Sequence, residues 1–293
     1  MKVARIRRAI VPLAMLGIVA MCFSGCADEP EPNCIATTAP FAVKLLERDR
    51  QESTTGACDA FGPASFNADP EVGLAPFYAR DSKGQPDYDK GSLAIQTAEV
   101  GKLYFYAQDS GVDNAATDGT VYSLGAFNGS KPDADHFCTA PTMSPTHIVL
   151  ADVPAVPDDP TTEEDESVPE QPAVDIKLDW SNVKVYVTAA SYGTQFAADL
   201  TDTRTAADGS TCTITYKAVG LAPAVPCNLL DADGNPLSND DGTPQLDLSA
   251  CDPLADPAKG RSIGSGISAN TRYECDAATA FCTIAGDTVP AIE

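Results

Sequence analysis

Ten cysteines constrain this chain more than any other feature, and they fall into two sets. Cys22 and Cys26 sit near the N-terminus, at the end of an apolar run. The other eight, Cys34, Cys58, Cys138, Cys212, Cys227, Cys251, Cys275 and Cys282, are spread through the rest of the chain. An even set in an exported protein reads as a disulfide framework, here four bridges. The rival is a metal site, but the chain has no C-x-x-C. Neither His136 nor His147 stands at ligand spacing from a cysteine. Spacing alone does not choose the pairing.

Export is written in the first residues. MKVARIRR carries Lys2, Arg5, Arg7 and Arg8 and no acid, and the apolar run Ala9 to Phe23 follows it. Its 15 residues fall short of the roughly 20 that cross a bilayer. A basic start, a short apolar middle and small residues after it suit a secretory signal.

The residues Phe23-Ser24-Gly25-Cys26 then resemble the lipobox of bacterial lipoprotein signal peptides, with Phe23 where that motif most often has Leu. The resemblance covers about the first 26 residues. It implies a thioether lipid on Cys26, fatty acyl chains such as palmitate, and cleavage just before that cysteine. Cys22 is then discarded, Cys26 is the lipidation site, and residues 26–33 form a polar, acidic tether. Two or more acyl chains anchor a protein stably where one does not. The implied partner is a membrane, met through the N-terminal lipid. The expected place is the cell envelope, with the outer membrane the expected membrane. The body would stand in the periplasm or on the cell surface.

Removal of residues 1–25 takes four of the 19 basic residues and none of the 42 acids. The remaining 268 residues carry 15 bases against 42 acids, a net charge of −27. Such a charge repels phosphates, so no nucleic acid partner is expected. Residues 152–172, DVPAVPDDPTTEEDESVPEQP, hold eight acids, five prolines and no base. They read as a disordered acidic loop. Three of the eight cysteines precede this segment and five follow it, both odd counts. If all eight pair within one molecule, at least one bridge spans the segment. Residues 34–293 are therefore expected to form one disulfide-linked body.

The ordered segments alternate with period two. Val183, Val185 and Val187 face one way, and Ile176, Leu178 and Trp180 alternate just before them. Phe196, Ala198 and Leu200 follow, then Cys212, Ile214 and Tyr216. Leu93 with Ile95, Leu103 with Phe105, and Ile148 with Leu150 add shorter runs, and FAVKLLE at 41–47 reads as a strand. Short alternating runs between Gly, Asp and Asn turns predict an all-β fold. The expected body is antiparallel and β-sandwich-like, stapled by about four disulfides, with an irregular C-terminal tail after Cys251.

No motif makes a strong catalytic set. Gly260-Arg261-Ser262-Ile263-Gly264 matches G-x-S-x-G, but both histidines lie upstream, and the hydrolase order places His after Ser. His136 follows Asp133 and Asp135 in a turn-like stretch, and His147 lies in a strand-like one. Asp231, Asp233, Asn235 and Asp241 are weak metal candidates, for Ca²⁺ if for any ion. The EF-hand register fails there at Pro236 and Gly242, and D-x-D-G-N also suits a plain turn. Tyr104 and Tyr106 flank Phe105 and would share the outer face of a strand, where paired aromatics can stack on sugars.

The leading expectation is a non-enzymatic envelope lipoprotein with a binding or structural surface role, no cofactor, and a protein or polysaccharide partner. The alternatives are a secreted hydrolase built on a carboxylate pair, and a Ca²⁺-dependent or carbohydrate-binding adhesin. A cleft holding an acid of raised pKa would favour the hydrolase.

Overall fold

A long alternating run forms one of the two longest strands. In β7, Val174–Val187, the side chains of Ile176, Leu178 and Trp180 are buried, and so are Val183, Val185 and Val187. The buried positions switch from even to odd numbers between Trp180 and Val183. Such a switch requires one extra residue, because side chains on a strand alternate strictly. The strand supplies it as a β-bulge between Ser181 and Lys184, with Asn182 at φ 50°. The computed structural model describes residues 32–61, 69–109, 121–155, 169–259 and 261–292.

Nine antiparallel strands form one sheet. They are β1 (Pro40–Glu52), β2 (Glu71–Arg80), β3 (Pro86–Thr97), β4 (Ser123–Ala126), β5 (Phe137–Thr142), β6 (Thr146–Leu150), β7, β8 (Tyr192–Thr205) and β9 (Thr211–Leu221). Their order is β4-β3-β2-β1-β9-β8-β7-β5, and β6 continues along β7 beyond β5. The two ends of the sheet meet. The amide of Asn128 donates to the carbonyl of Thr139, and that of Ser144 to Leu124, both at 2.8 Å. The hydroxyls of Ser123 and Thr146 lie 3.0 Å apart in the buried seam. The body is thus all-β and antiparallel, and its layers come from one curled, nearly closed sheet.

The inner face holds the core, in which Phe41 meets Phe196 edge-on with centroids 5.2 Å apart. Gly220 lies opposite Phe196, and a Cβ there would fall 2.1 Å from the ring. The aromatic fills the space that glycine leaves.

One segment differs from the alternating pattern read in it. Residues Ala98–Asp109 form a helix, α1, where Leu103 and Phe105 read as strand. Val100, Leu103 and Ala107 are buried while Phe105 is 61% exposed. That spacing of three and four residues is helical. The aromatic run YFY carries strand propensity, but the burial of one helical stripe on the end of the sheet overrides it.

A lobe from residue 223 onward covers part of the outer face. Its hairpin pairs β10 (Tyr273–Asp276) with β11 (Phe281–Ile284), and the rest is 3-10 turns and isolated bridges; the irregular tail expected after Cys251 is the later part of it. Ile267, Ile284 and Ala291 pack there on Val219 and Leu221, so the end of β9 is buried on both faces. The buried Gln195 joins lobe to sheet, accepting from the Ala291 amide at 2.8 Å.

Gly125 marks the seam most directly. A Cβ on it would lie 2.3 Å from Met143 Sδ and 2.4 Å from the Thr142 carbonyl oxygen. A backbone oxygen cannot rotate away, so Gly125→Ala must part the two ends of the sheet. The expected cost is about 1–3 kcal/mol, the range of an overpacked core. At Gly73 the nearest atom is 3.8 Å away, so Gly73→Ala should be near neutral. Urea midpoints of the two variants check the contrast.

Candidate functional site

The lipidation residue Cys26 and the signal before it lie outside the described residues. The other eight cysteines form four disulfides: Cys34–Cys138, Cys58–Cys212, Cys227–Cys275 and Cys251–Cys282. Cys58–Cys212 spans the acidic segment, of which residues 156–168 lie outside the described residues. The sulfurs of Cys227, Cys251 and Cys282 lie within 4.8 Å of one another. Each is bonded to another sulfur, so no thiolate is left to hold an ion there.

The remaining sequence candidates serve local turns, strand pairs and a helix. His136 sits at φ 66° in a tight turn whose amide donates to the Asp133 carbonyl. The Asp133 carboxylate accepts from the amides of Asp135 and Phe137, so it serves that turn. His147 Nε2 lies 2.9 Å from Asp175 Oδ1 across the β6–β7 pair. Asp231 Oδ1 accepts from the amides of Asp233 and Asn235 at 2.9 and 2.8 Å. Those amides hold its carboxyl below the usual range. Asp241 serves Thr243 in the same way ten residues on. Gly260 lies outside the described residues. Ser262 follows an isolated bridge, with neither a strand before it nor a helix after it. Tyr104 and Tyr106 lie on α1, so they do not form the outer face of a strand.

Two surface recesses lie on the outside of the sheet. The larger is an apolar groove of about 510 Å³ over β2, β3 and β4. Its floor carries short side chains at Gly73, Ala75, Ser92 and Ala94, and Phe77, Tyr122 and Leu124 stand at its edges. These three are exposed although they are large and apolar. The second recess is a charged notch of about 380 Å³ across β1, β9, β8 and β7, lined by Arg48, Lys217, Asp199, Asn182 and Lys184.

A third feature, invisible in the motifs, is a charge cluster inside the sheet. Asp202 and Arg204 continue the inward phase of Phe196, Ala198 and Leu200 along β8 and are buried. Arg204 Nε donates to both oxygens of Asp202 at 3.2 and 3.1 Å. Its two terminal nitrogens donate to the two oxygens of Glu99, in the first turn of α1, at 2.9 and 2.8 Å. This bidentate bond clamps α1 to the sheet. Burial pushes the Asp202 carboxyl up to about 6, although Arg204 beside it pulls the other way. Asp202 is only 4% exposed and lines neither recess. An acid of raised pKa is therefore present, but in the interior and not in a cleft. The signal that could have found it is the D-x-R pair in the buried phase of an alternating run.

Comparison with known proteins places these features in one family. The family model MlpA matches residues 40–223, which span β1 through β9. A Myxococcus xanthus protein described as "Putative lipoprotein MlpA" is 24% identical over 273 residues, covering 90% of each chain. No solved structure matches.

The family match covers the strand that bears Asp202, and the buried acid has a consequence that can be measured. Asp202 holds its proton more tightly in the folded chain than in the unfolded one. Its contribution to stability is full below about pH 4 and is lost as the pH rises through about 6. Asp202→Asn should therefore gain stability relative to the parent protein between pH 4 and pH 7. Urea unfolding of both proteins across that range checks it, and a constant difference would contradict it.

Proposed function

Since the chain belongs to the MlpA family, we propose that it is a lipoprotein of the cell envelope, anchored through a lipid on Cys26, whose β body acts by binding or as a structural surface. The observation that carries this reading is the match to a relative described as a lipoprotein over nine-tenths of both chains. The lipobox-like FSGC at residues 23–26 supports it independently, because it supplies the cysteine that such an anchor needs. The four disulfides fit an oxidising compartment. The net charge favours a body held off an anionic lipid surface by its tether.

The role is non-enzymatic in this proposal. Its support is the absence of an enzymatic name on the relative and the use of the two histidines in a turn and in a strand pair. The groove over β2–β4, with its exposed Phe77, Tyr122 and Leu124, supports the binding half of the reading. The outer membrane is the proposed site of anchoring.

The anchor is tested by expression of the full chain with its signal, followed by detergent-phase partitioning and mass spectrometry of the N-terminal peptide. The parent protein should enter the detergent phase with an acylated Cys26 at its N-terminus. Cys26→Ala should stay in the aqueous phase or remain uncleaved. An unmodified N-terminus at another residue would overturn the reading.

A further inference from the structure

The notch across β1, β9, β8 and β7 concentrates positive charge on a chain of net charge −23. One row of side chains crosses three strands on the outer face. Lys217 of β9 lies opposite Asp199 of β8, which lies opposite Ser181 of β7. Two β-bulges flank this row, one in β1 between Glu47 and Asp49 and one in β7 between Ser181 and Lys184. Bulges re-aim side chains. Here both re-aimed residues meet the same carboxylate: Arg48 Nη1 donates to Asp199 Oδ1 at 2.7 Å, and Asn182 Nδ2 to Asp199 Oδ2 at 2.8 Å.

The remaining cations are uncommitted or weakly held. Lys184 has no hydrogen-bond or ion-pair partner among the described residues. Among the described residues Lys217 reaches only Asp287, at 3.9 Å, and Asp287 is itself two-thirds exposed. Three cations thus face one anion around a recess of about 380 Å³ whose floor includes Ala197. That volume lies within the roughly 300–1,000 Å³ of small-ligand sites.

We infer that this notch binds an acidic saccharide, a sugar ring that carries a carboxylate. The ligand carboxylate takes charge-assisted bonds from Lys184 and Lys217. The ring hydroxyls donate to Asp199 and pair with the Asn182 amide. Asp199 decides the class. A central carboxylate repels a doubly charged phosphate, yet it accepts from the neutral hydroxyls that a sugar offers next to its single charge. The surrounding acidic surface makes the site selective, because it disfavours polyanions that extend beyond the notch. The site is open, so binding is weak and falls as salt rises.

The test uses the purified full chain in detergent. Its probes are an oligogalacturonate, a neutral galacto-oligosaccharide of equal length, and inorganic phosphate. Binding is followed by calorimetry at low and at high salt. The acidic sugar should bind, the neutral one and phosphate should bind at least about tenfold more weakly, and salt should reduce the affinity. Lys184→Gln and Lys217→Gln should each cost about tenfold with an unchanged melting temperature. The inference is overturned by equal binding of the neutral sugar, by tighter binding of phosphate, by no binding of the acidic sugar, or by unaltered affinity in both variants.

Discussion

The β1–β9 ladder is the interaction on which the rest of this structure depends. β1 pairs with β9 from Ala42↔Leu221 to Glu52↔Cys212, but with its sequence neighbour β2 at only Pro40, Phe41 and Ala42. One strand lies before the acidic segment and the other after it. Their pairing joins β4-β3-β2-β1 to β9-β8-β7-β5, and β5 and β6, which also precede the segment, pair with β7 after it. With these ladders formed, the ends of the sheet meet at Gly125 and the inner face closes over Phe41 and Phe196. The Cys58–Cys212 bridge ties the far end of this ladder over a sequence separation of 154. On chain-entropy grounds, a bridge over so long a loop contributes about 5 kcal/mol by restricting the unfolded chain.

The C-terminal lobe solves a different problem. It has few large apolar residues, and three of its buried members are the half-cystines Cys227, Cys251 and Cys282. Two neighbouring disulfides take the place of a larger core, as small exported units commonly require. The lobe borrows the outer face of the sheet for the rest, through Val219, Leu221 and Gln195. Where it stops, the sheet is bare, and the charged notch opens there beside Lys217 and Asp287. The position of the notch thus follows from how far a stapled tail can cover a curved sheet.

Much of this was legible in the residues. Period-two alternation along β7, β8 and β9 marked the strands, whereas the bulge between Trp180 and Val183 emerges in the structure. Odd cysteine counts on either side of the acidic segment pointed to a bridge across it, and Cys58–Cys212 is that bridge in the structure. Closure of the sheet was not legible, because it depends on a contact between Gly125 and Thr142 that no local pattern encodes. Helix α1 was hidden by its aromatic residues, which prefer strands when read alone. The burial of Asp202 and Arg204 has no motif to announce it, because charges are rarely buried and their partner Glu99 lies over a hundred positions away. The row of Arg48, Lys217, Asp199 and Asn182 comes from four strands, so its members share no sequence window.

The central claim is that the two halves of the chain are held as one body by backbone pairing and core packing, with the disulfide as reinforcement. The most direct measurement is to introduce a protease site within residues 156–168, cut there, reduce the disulfides under native conditions, and size the product. The account expects a single species of intact mass that keeps its circular dichroism, because the β1–β9, β5–β7 and β6–β7 ladders and the closed core still join the fragments. Separation of the two fragments upon reduction would contradict it, and would leave Cys58–Cys212 as a mere tether between independent domains.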